Sequence, residues 1–392
     1  MNLILFLATV FLATFLIGRL LEKIRIPWIF SALLIGLVLA AYNPFKEITT
    51  SPEFVFLAHL GMYFLLFIIG FELDIKEILS SSKFIIKTTF IIIFAEAIIG
   101  SILVHYIFGL SWLIAGLLSL SFATVGEAVL LPILDEFNLV KTKLGQTILG
   151  IGVLDDVIEV LTIIIIVVIL GRSTGYTHLS IWINLLILFS LFVLVFILTK
   201  LKKYFSSFKY KDIPSFFLLV IFFIFLFIGL GKYVESAALG ALLAGIALKN
   251  IIPRKILKFI DSEIRTLAYG FLAPIFFLWV GLDVNMPYLL KYPLLVLLFI
   301  VVIKAIKVSS SYIMGRKVLG PKKSILLGIS LSVKFSTSVV IIKLLFENNL
   351  ISSGVYSVFI GTKVLFKFIV PFLLSYLITK WKIGFSKIRS IS

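Results

Sequence analysis

Long apolar segments alternate with short polar connections over almost the whole chain. Most of these segments approach or exceed the about 20 residues that an α-helix needs to cross the hydrocarbon core of a bilayer. The pattern predicts an all-α, polytopic membrane protein with thirteen transmembrane helices. The thirteen segments span approximately residues 2–18, 27–42, 53–71, 84–107, 111–134, 145–170, 179–199, 214–231, 236–249, 266–282, 291–314, 323–346 and 352–378.

The composition agrees with a membrane protein and excludes several other classes. Of the 392 residues, 61% are hydrophobic and only 14% are charged, whereas about a quarter of the residues of a soluble domain are charged. The absence of cysteine excludes disulfides, thiol catalysis and cysteine-ligated metals. The three histidines (His59, His105 and His178) are scattered, so no zinc site is expected.

Basic residues are concentrated on one side of the predicted membrane. The connections after odd-numbered segments, with the C-terminal tail, contain 25 Lys and Arg, whereas those after even-numbered segments contain four. By the positive-inside rule, the N-terminus of this multi-pass cell-membrane protein lies outside and the C-terminus lies in the cytoplasm. The net charge of +17 is therefore interpreted as a topology signal and a contact to anionic lipid, and no nucleic-acid partner is expected.

The two halves of the chain resemble each other at an offset of 209 to 211 residues. This offset corresponds to seven segments, so segments one to six recur as eight to thirteen, and segment seven joins them. Because seven is odd, the second repeat must be inverted in the membrane, as is typical of secondary transporters with a binding site near the bilayer midplane. The matching pieces are Ala32–Gly36 with Ala241–Gly245, Phe67–Gly70 with Leu278–Gly281, Leu134–Leu139 with Leu345–Leu350, and Gly150–Leu154 with Gly361–Leu365.

Segments five and twelve, which are equivalent in the two repeats, are predicted to be discontinuous and to cross each other. Both contain small and hydroxyl residues that satisfy the backbone where a membrane helix unwinds, although the hydroxyls fit helix packing equally well. Glu127 and Lys334 are candidates for an ion pair at the crossing. The candidate residues are Thr124, Gly126 and Glu127 in segment five, and Lys334, Ser336 and Thr337 in segment twelve.

Three acidic residues, Asp155, Asp156 and Glu159, lie within the otherwise apolar segment six and share one helix face. Each costs about 2.5–3.5 kcal/mol at a helix centre on the insertion scale, so such residues are functional candidates by default. Carboxylates bind protons, and their hard oxygens also bind cations such as Na⁺. The cluster therefore predicts a site at which a monovalent cation and protons compete, with structural neutralisation inside the helix bundle as the alternative.

Two lysines in the middle of segment eleven, Lys304 and Lys307, are candidate partners of these acids because neither reaches the membrane interface easily. Lys307 corresponds to Glu96 of segment four at the repeat offset of 211 residues. The pseudo-symmetry predicts Glu96 and Lys307 at related depths on opposite sides of the segment-six carboxylates, with Glu96 as a structural charge.

Several motifs resemble those of the monovalent cation:proton antiporters. The resemblance extends over nearly the whole chain. Within this superfamily it is greatest to the second family, which includes bacterial electrogenic Na⁺/H⁺ exchangers and glutathione-gated K⁺ efflux proteins. It implies the sodium/proton antiporter fold, a homodimer, and electrogenic exchange in pH homeostasis, with no cofactor besides the transported Na⁺ and H⁺. The motifs are Asp155-Asp156, Gly70–Asp74, Gly281–Asp283, Gly240–Gly245 and the segment-eleven lysine.

The resemblance also implies a role for individual residues. Asp156 would carry the cation and the proton, and Asp155 would pair with Lys307, or with Lys304 as the second choice, and separate from it when Na⁺ binds. Glu127 and Glu159 are acids beyond the usual pattern of the family, and they leave both the ion and the stoichiometry open.

The same resemblance implies a division of the chain into domains. Residues 1–83 and 179–290 would form the dimer scaffold, with a linker helix at the start of the second range. Residues 84–178 and 291–392 would form the moving transport core, followed by a short cytoplasmic tail.

Other functions fit the sequence less well. A K⁺/H⁺ antiporter is the main alternative, and a Na⁺-coupled organic-solute symporter would need a roomier, less acidic crossing. An intramembrane aspartyl enzyme needs its two aspartates on separate helices that face each other, whereas Asp155 and Asp156 are adjacent on one helix. A channel is disfavoured by the inverted repeat and by Lys307. The sequence therefore predicts a secondary active transporter and not an enzyme.

Overall fold

The chain folds almost entirely into helices. The computed structural model describes residues 2–23, 26–72, 82–122, 134, 137, 139–173, 181–200, 213–233, 237–252, 254–332 and 336–383. The helices are α1 (Leu3–Lys23), α2 (Phe30–Ala41), α3 (Lys46–Thr49), α4 (Pro52–Glu72), α5 (Lys83–Phe108), α6 (Trp112–Leu120), α7 (Lys143–Ser173), α8 (Ile181–Lys200), α9 (Ile213–Lys232), α10 (Ala237–Ile251), α11 (Arg254–Leu267), α12 (Ala273–Leu282), α13 (Met286–Lys291), α14 (Pro293–Gly315), α15 (Pro321–Ser330), α16 (Ser336–Glu347) and α17 (Ser353–Lys380).

The predicted all-α, multi-span class is confirmed. Within the described residues, six helical stretches are long and apolar enough to cross a membrane, and shorter apolar helices accompany them. Most predicted segments coincide with these helices to within a few residues. The six long stretches are Leu3–Lys23, Pro52–Glu72, Lys83–Phe108, Ile256–Leu282, Pro293–Gly315 and Ser353–Lys380.

Segment ten begins earlier in the structure than predicted. The helix starts at Arg254 and continues through a π-helical turn at Ala268–Leu272 into α12. Its first part is amphipathic, because Ile260 and Ile264 are buried whereas Glu263 is exposed. A search for apolar runs detects only the uniformly apolar second part of such a helix.

Segment twelve is discontinuous, as predicted. The helix α15 ends at Ser330, and a second helix, α16, begins at Ser336. In segment five, the helix α6 ends at Leu120. The predicted segment extends to residue 134.

The chain divides into two compact units, each built from both sequence repeats. The first unit comprises Met1–Leu16, Ile29–Leu73 and Val160–Leu282. The second unit comprises Ile17–Trp28, Asp74–Glu159 and Asp283–Ser392, and so contains α5, α6, the first half of α7 and α13 to α17. The roles of scaffold and moving core stay predictions.

Helices of the first unit approach each other at glycines. A Cβ atom at Gly70 of α4 would overlap the carbonyl oxygen of Leu242, and one at Gly245 of α10 would overlap the carbonyl oxygen of Phe67. Each glycine therefore faces the backbone of the other helix. Small residues permit such close backbone contact, and close packing is the main attraction between helices in lipid.

Charged side chains hold the end of α4 against α10 and α11. Arg265 donates hydrogen bonds to Glu72 Oε1 at 2.7 Å and to Asp261 Oδ1 at 2.8 Å. The Lys249 Nζ atom donates to the carbonyl oxygen of Glu72 at 2.8 Å. The Arg265–Glu72 and Arg265–Asp261 pairs are more than a third exposed, so each contributes only about 0–1 kcal/mol to stability.

A similar but more buried cluster lies at the start of α13 in the second unit. Lys343 of α16, whose side chain is fully buried, pairs with Asp283 and with Glu347. Asp283 corresponds to Glu72 at the repeat offset of 211 residues. The two repeats therefore place an acid at the same position, and each acid binds a basic residue of its own unit.

We expect Gly245→Ala to lower the melting temperature of the detergent-solubilised protein. The added methyl group meets backbone atoms, and over-packing of this kind costs about 1–3 kcal/mol. The matched control is Gly229→Ala on α9, where an added Cβ would have no heavy atom within 4 Å. Equal melting temperatures of the two variants, measured by size-exclusion chromatography after heating, would contradict the packing described above.

Candidate functional site

Two helices of the second unit end inside the protein and leave backbone carbonyl groups without intrahelical partners. The first helix, α6, closes with a turn at Ser121 and Phe122, and α15 closes with a turn at Leu331 and Ser332. The last four carbonyl groups of any α-helix lack intrahelical donors, and the C-terminal end of a helix carries a partial negative charge. Both ends are therefore sites that attract a cation or a hydrogen-bond donor.

The ammonium group of Lys307 joins these two helix ends. Its Nζ atom donates hydrogen bonds of 2.7 Å to the carbonyl oxygens of Phe122 and Leu331. The side chain is only 1% exposed. An added Cβ at Gly328 would lie 2.8 Å from the carbonyl oxygen of Lys307, so the absence of a side chain there lets α15 pack closely against α14. This packing places Lys307 within reach of both ends.

The third neighbour of the Lys307 ammonium is Glu96 of α5. Glu96 Oε2 lies 3.6 Å from Lys307 Nζ, and the Glu96 side chain is 0% exposed. The ammonium group therefore donates hydrogen bonds to two carbonyl oxygens and forms an ion pair with one carboxylate. In the part of the chain that the structure describes, neither carboxylate oxygen of Glu96 accepts a hydrogen bond.

The backbone of Glu96 is also fixed to α6. Ser119 Oγ donates a 2.8 Å hydrogen bond to the carbonyl oxygen of Glu96. Gly100, one turn further along α5, has no Cβ and leaves room for the Ser119 side chain. The helix α5 therefore packs closely against α6, and the Glu96 carboxylate lies beside the end of α6.

One prediction about these charges is wrong. The sequence predicted Glu96 and Lys307 on opposite sides of the segment-six carboxylates, but the structure places the two charges in direct contact. An inverted repeat has a pseudo-two-fold axis, and equivalent residues near that axis meet each other. The structural role predicted for Glu96 fits this contact.

Of the two candidate lysines, Lys307 is the one that reaches the helix ends. The Lys304 side chain is only partly buried, and its Nζ atom lies 5.7 Å from the centre of the Phe366 ring. The ion pair of Asp155 with either lysine stays a prediction.

The segment-six acids lie on the long helix α7, as predicted. The Asp155 side chain is 1% exposed, which is unusual for a carboxylate and requires stabilising contacts. Asp156 and Glu159 belong to the same helix, one and four residues further on. Their side chains lie outside the described part of the structure.

The remaining candidates are only partly described. Thr337 is 2% exposed in the first turn of α16. Ser336 begins this helix, but its side chain is not described. Thr124, Gly126, Glu127 and Lys334 lie outside the described residues.

Sequence reasoning assigned no role to Lys363 of α17. The Lys363 side chain is 4% exposed, and its Nζ atom donates a 2.7 Å hydrogen bond to the carbonyl oxygen of Ser121. The same atom lies 4.2 Å from the centre of the Phe122 ring. A lysine in the middle of an apolar segment is a signal of function, but the sequence does not reveal which helix end it would meet.

The chain is similar to several known membrane proteins. The sequence model of a family described as sodium/hydrogen exchanger, transmembrane, matches residues 7–380. The chain is 24% identical over 371 residues to the probable Na⁺/H⁺ antiporter 3 of Methanocaldococcus jannaschii, covering 93% of both proteins. It is 27% identical over 267 residues to a Na⁺/H⁺ antiporter of Enterococcus hirae, covering 66% of this chain and 68% of the relative.

A potassium transporter and a solved structure are also similar. The glutathione-regulated potassium-efflux system protein KefC of Shigella flexneri is 24% identical over 286 residues, but these cover only 45% of that protein. The structure of the sodium proton antiporter MjNhaP1 from Methanocaldococcus jannaschii superposes with a TM-score of 0.65 over 97% of this chain and 96% of that one. At 18% identity, this likeness confirms the antiporter fold alone.

We expect Lys307→Met to lower the melting temperature of the purified protein strongly. Removing one partner of a buried ion pair costs about 3–5 kcal/mol, because the other charge stays buried alone. The double variant Glu96→Gln/Lys307→Met removes both charges of the pair. It should therefore be more stable than Lys307→Met alone.

Lys304→Met serves as the matched control, because it removes a lysine from the same helix without exposing either helix end. We expect a much smaller loss of melting temperature. A loss as large as that of Lys307→Met would reject the assignment of Lys307 as the residue that joins the helix ends.

Proposed function

Because the chain belongs to the sodium/hydrogen exchanger family, we propose that it exchanges Na⁺ for protons across the cell membrane by alternating access. The observation that carries the proposal is the fully buried Asp155 on α7, in the same unit as the two interrupted helices. A carboxylate at this depth must be compensated by a cation, a proton or a donor. Exchange follows when a cation and a proton replace each other in that role.

In this proposal, Asp156 carries the transported ion and Asp155 assists. Na⁺ needs several oxygen ligands, and a carboxylate provides both oxygens and negative charge. Protonation of the same oxygens removes the charge and releases the cation. The hydroxyl groups of Thr124 and Thr337 and the carboxylates of Glu127 and Glu159 are the further candidate ligands, with Na⁺ as substrate rather than as a resident metal.

The buried charges of the second unit support an electrogenic cycle. Lys307 lies 3.6 Å from Glu96 and so has a carboxylate partner outside α7. Asp155 and Asp156 are adjacent carboxylates on one helix, and in this proposal both take up protons when one Na⁺ leaves. We propose that two protons exchange for each Na⁺, with Lys307 keeping the helix ends together throughout.

The orientation and the partners are part of the same proposal. The N-terminus lies outside, the C-terminus lies in the cytoplasm, and basic connections contact anionic lipid. The protein acts as a homodimer in which the first unit forms the scaffold and the second unit carries the ion.

We expect reconstituted protein to collapse an imposed pH gradient when Na⁺ is added, as measured by dequenching of a pH-sensitive dye. Asp156→Asn should abolish the signal with Na⁺, Li⁺ and K⁺ alike, because an amide cannot take up a proton in exchange. The matched control Asp261→Asn makes the same chemical change on α11, in the first unit, and should keep wild-type exchange. Full exchange by folded Asp156→Asn would reject the site.

The same dequenching measurement distinguishes Na⁺/H⁺ exchange from K⁺/H⁺ exchange, the alternative that the likeness to KefC favours. We expect a higher apparent affinity for Na⁺ than for K⁺. Stronger dequenching with K⁺ than with Na⁺ at equal concentrations would replace Na⁺ by K⁺ as the substrate, without changing the exchange mechanism.

Electrogenic exchange makes the rate depend on membrane potential. Two protons entering for each Na⁺ leaving carry net positive charge inward, so an inside-negative potential should accelerate Na⁺ efflux. The measurement is the efflux of ²²Na⁺ from vesicles with and without a K⁺ diffusion potential imposed by valinomycin. Identical rates under both conditions would show an electroneutral cycle.

A further inference from the structure

We propose that the exposed face of α11 binds anionic phospholipid, with Lys258 at the headgroup phosphate and the Phe259 ring at the start of the acyl chains. The inference narrows the lipid contact proposed above to one helix. It rests on the proposed orientation, which places α11 on the cytoplasmic side, but not on ion exchange. Its starting point is the exposed pair Lys258 and Phe259, of which the phenylalanine is 53% exposed.

The helix that begins with α11 is longer than the hydrocarbon core of a bilayer. From Arg254 through the π-helical turn to Leu282, it comprises stretches of 14, 5 and 10 residues, about 43 Å in all at about 1.5 Å per residue. The hydrocarbon core is about 30 Å thick, and the headgroup regions increase the thickness to about 40–45 Å. All charged residues of this helix belong to α11. The depth of α11 is therefore that of the headgroups.

The two faces of α11 differ in character. Ile260 and Ile264 are buried, whereas Lys258, Phe259 and Ser262 on the other side of the helix are exposed. At headgroup depth, an exposed phenylalanine leaves water by entering the boundary of the acyl chains. The long side chain of an adjacent lysine brings its ammonium group to the phosphates. The exposed face therefore matches both parts of a phospholipid.

The exposed charge at the start of α11 is predominantly positive. The first five residues, Arg254–Lys258, contain three basic residues and no acid. Further along the helix, Arg265 and Asp261 pair with each other, and Arg265 also pairs with Glu72. Glu263 is exposed and provides one negative charge against these three basic residues. Clusters of Lys and Arg next to a transmembrane helix on the cytoplasmic side attract anionic headgroups.

A second copy of the chain fits this face less well than lipid does. In a two-fold dimer, a surface patch on the axis faces the same patch of the partner. The basic turn Arg254–Lys258 would then face its own copy, and like charges that meet in an interface disfavour association. Anionic phospholipid supplies the opposite charge instead.

The test measures the melting temperature of the purified full-length protein in detergent as phosphatidylglycerol is added, with phosphatidylcholine as the neutral lipid. We expect phosphatidylglycerol to raise the melting temperature further. In Lys258→Gln, the concentration of phosphatidylglycerol that gives half of the rise should increase about fivefold, the factor expected for one basic residue at an anionic surface. In Arg254→Gln/Lys255→Gln/Lys258→Gln, it should increase more than about tenfold.

Two variants serve as controls. Lys258→Arg keeps the charge and should need a phosphatidylglycerol concentration within about twofold of wild type. Lys322→Gln removes an exposed lysine from the first turn of α15, on the same predicted side of the membrane, and should also stay within about twofold.

Two results would overturn the lipid surface. One is an equal rise of the wild-type melting temperature with both lipids. The other is an unchanged dependence on phosphatidylglycerol in both Lys258→Gln and the triple variant. If the triple variant kept the lipid dependence but changed its oligomeric state in size-exclusion chromatography, the face would belong to a second copy and not to lipid.

The orientation is tested by a separate measurement. The wild-type chain contains no cysteine, so Ser262→Cys introduces a single thiol on the exposed face of α11. A membrane-impermeant maleimide should label this thiol only after the cells are opened. Labelling in intact cells would reject the proposed orientation, whereas the melting measurement in detergent decides the lipid surface without reference to orientation or to exchange.

Discussion

Interrupting a helix inside a membrane protein leaves carbonyl groups that water cannot reach, and the rest of this structure depends on how they are satisfied. Each unsatisfied polar group in an apolar interior costs several kcal/mol. Lys307 satisfies one carbonyl group of each interrupted helix with a single ammonium group. The two interruptions are thereby joined, so that neither helix end can move away without losing its donor.

A buried ammonium group creates a second requirement, because its own charge must be balanced. Glu96 supplies the balancing charge from α5 at 3.6 Å. Lys307 therefore has a carboxylate partner outside α7. Carboxylates that remain at membrane depth are compensated by whichever cation or proton reaches them, which is the physical basis of exchange.

The positions of the helices could be predicted from the sequence to a large extent. Uniformly apolar segments produced boundaries close to those observed, and the inverted repeat indicated where segment twelve would break. The prediction was less accurate for segment ten, because the first part of that helix, from Arg254, is amphipathic and its charged residues interrupt the apolar run on which the prediction rested. The burial of Asp155 and of Lys307 followed from their place in apolar segments.

The contacts within the site could not be predicted in the same way. The repeat related Glu96 to Lys307 by position, but a one-dimensional offset does not reveal that the two side chains meet. Lys304 and Lys307 lie one turn apart on the same helix, and only the close packing of α15 at Gly328 selects Lys307. The contact of Lys363 with Ser121 depends on where α6 ends, which is a property of the folded chain.

The most direct test of the bridge made by Lys307 is a distance measurement in lipid. Solid-state NMR on protein labelled with ¹⁵N in lysine side chains and ¹³C in the carbonyl groups of phenylalanine and leucine detects dipolar coupling between the labels. Hydrogen bonds of normal length place the nitrogen about 4 Å or less from both carbonyl carbons, so we predict couplings to one phenylalanine and one leucine that disappear in Lys307→Arg. Coupling to only one of the two, or to neither, would contradict the account.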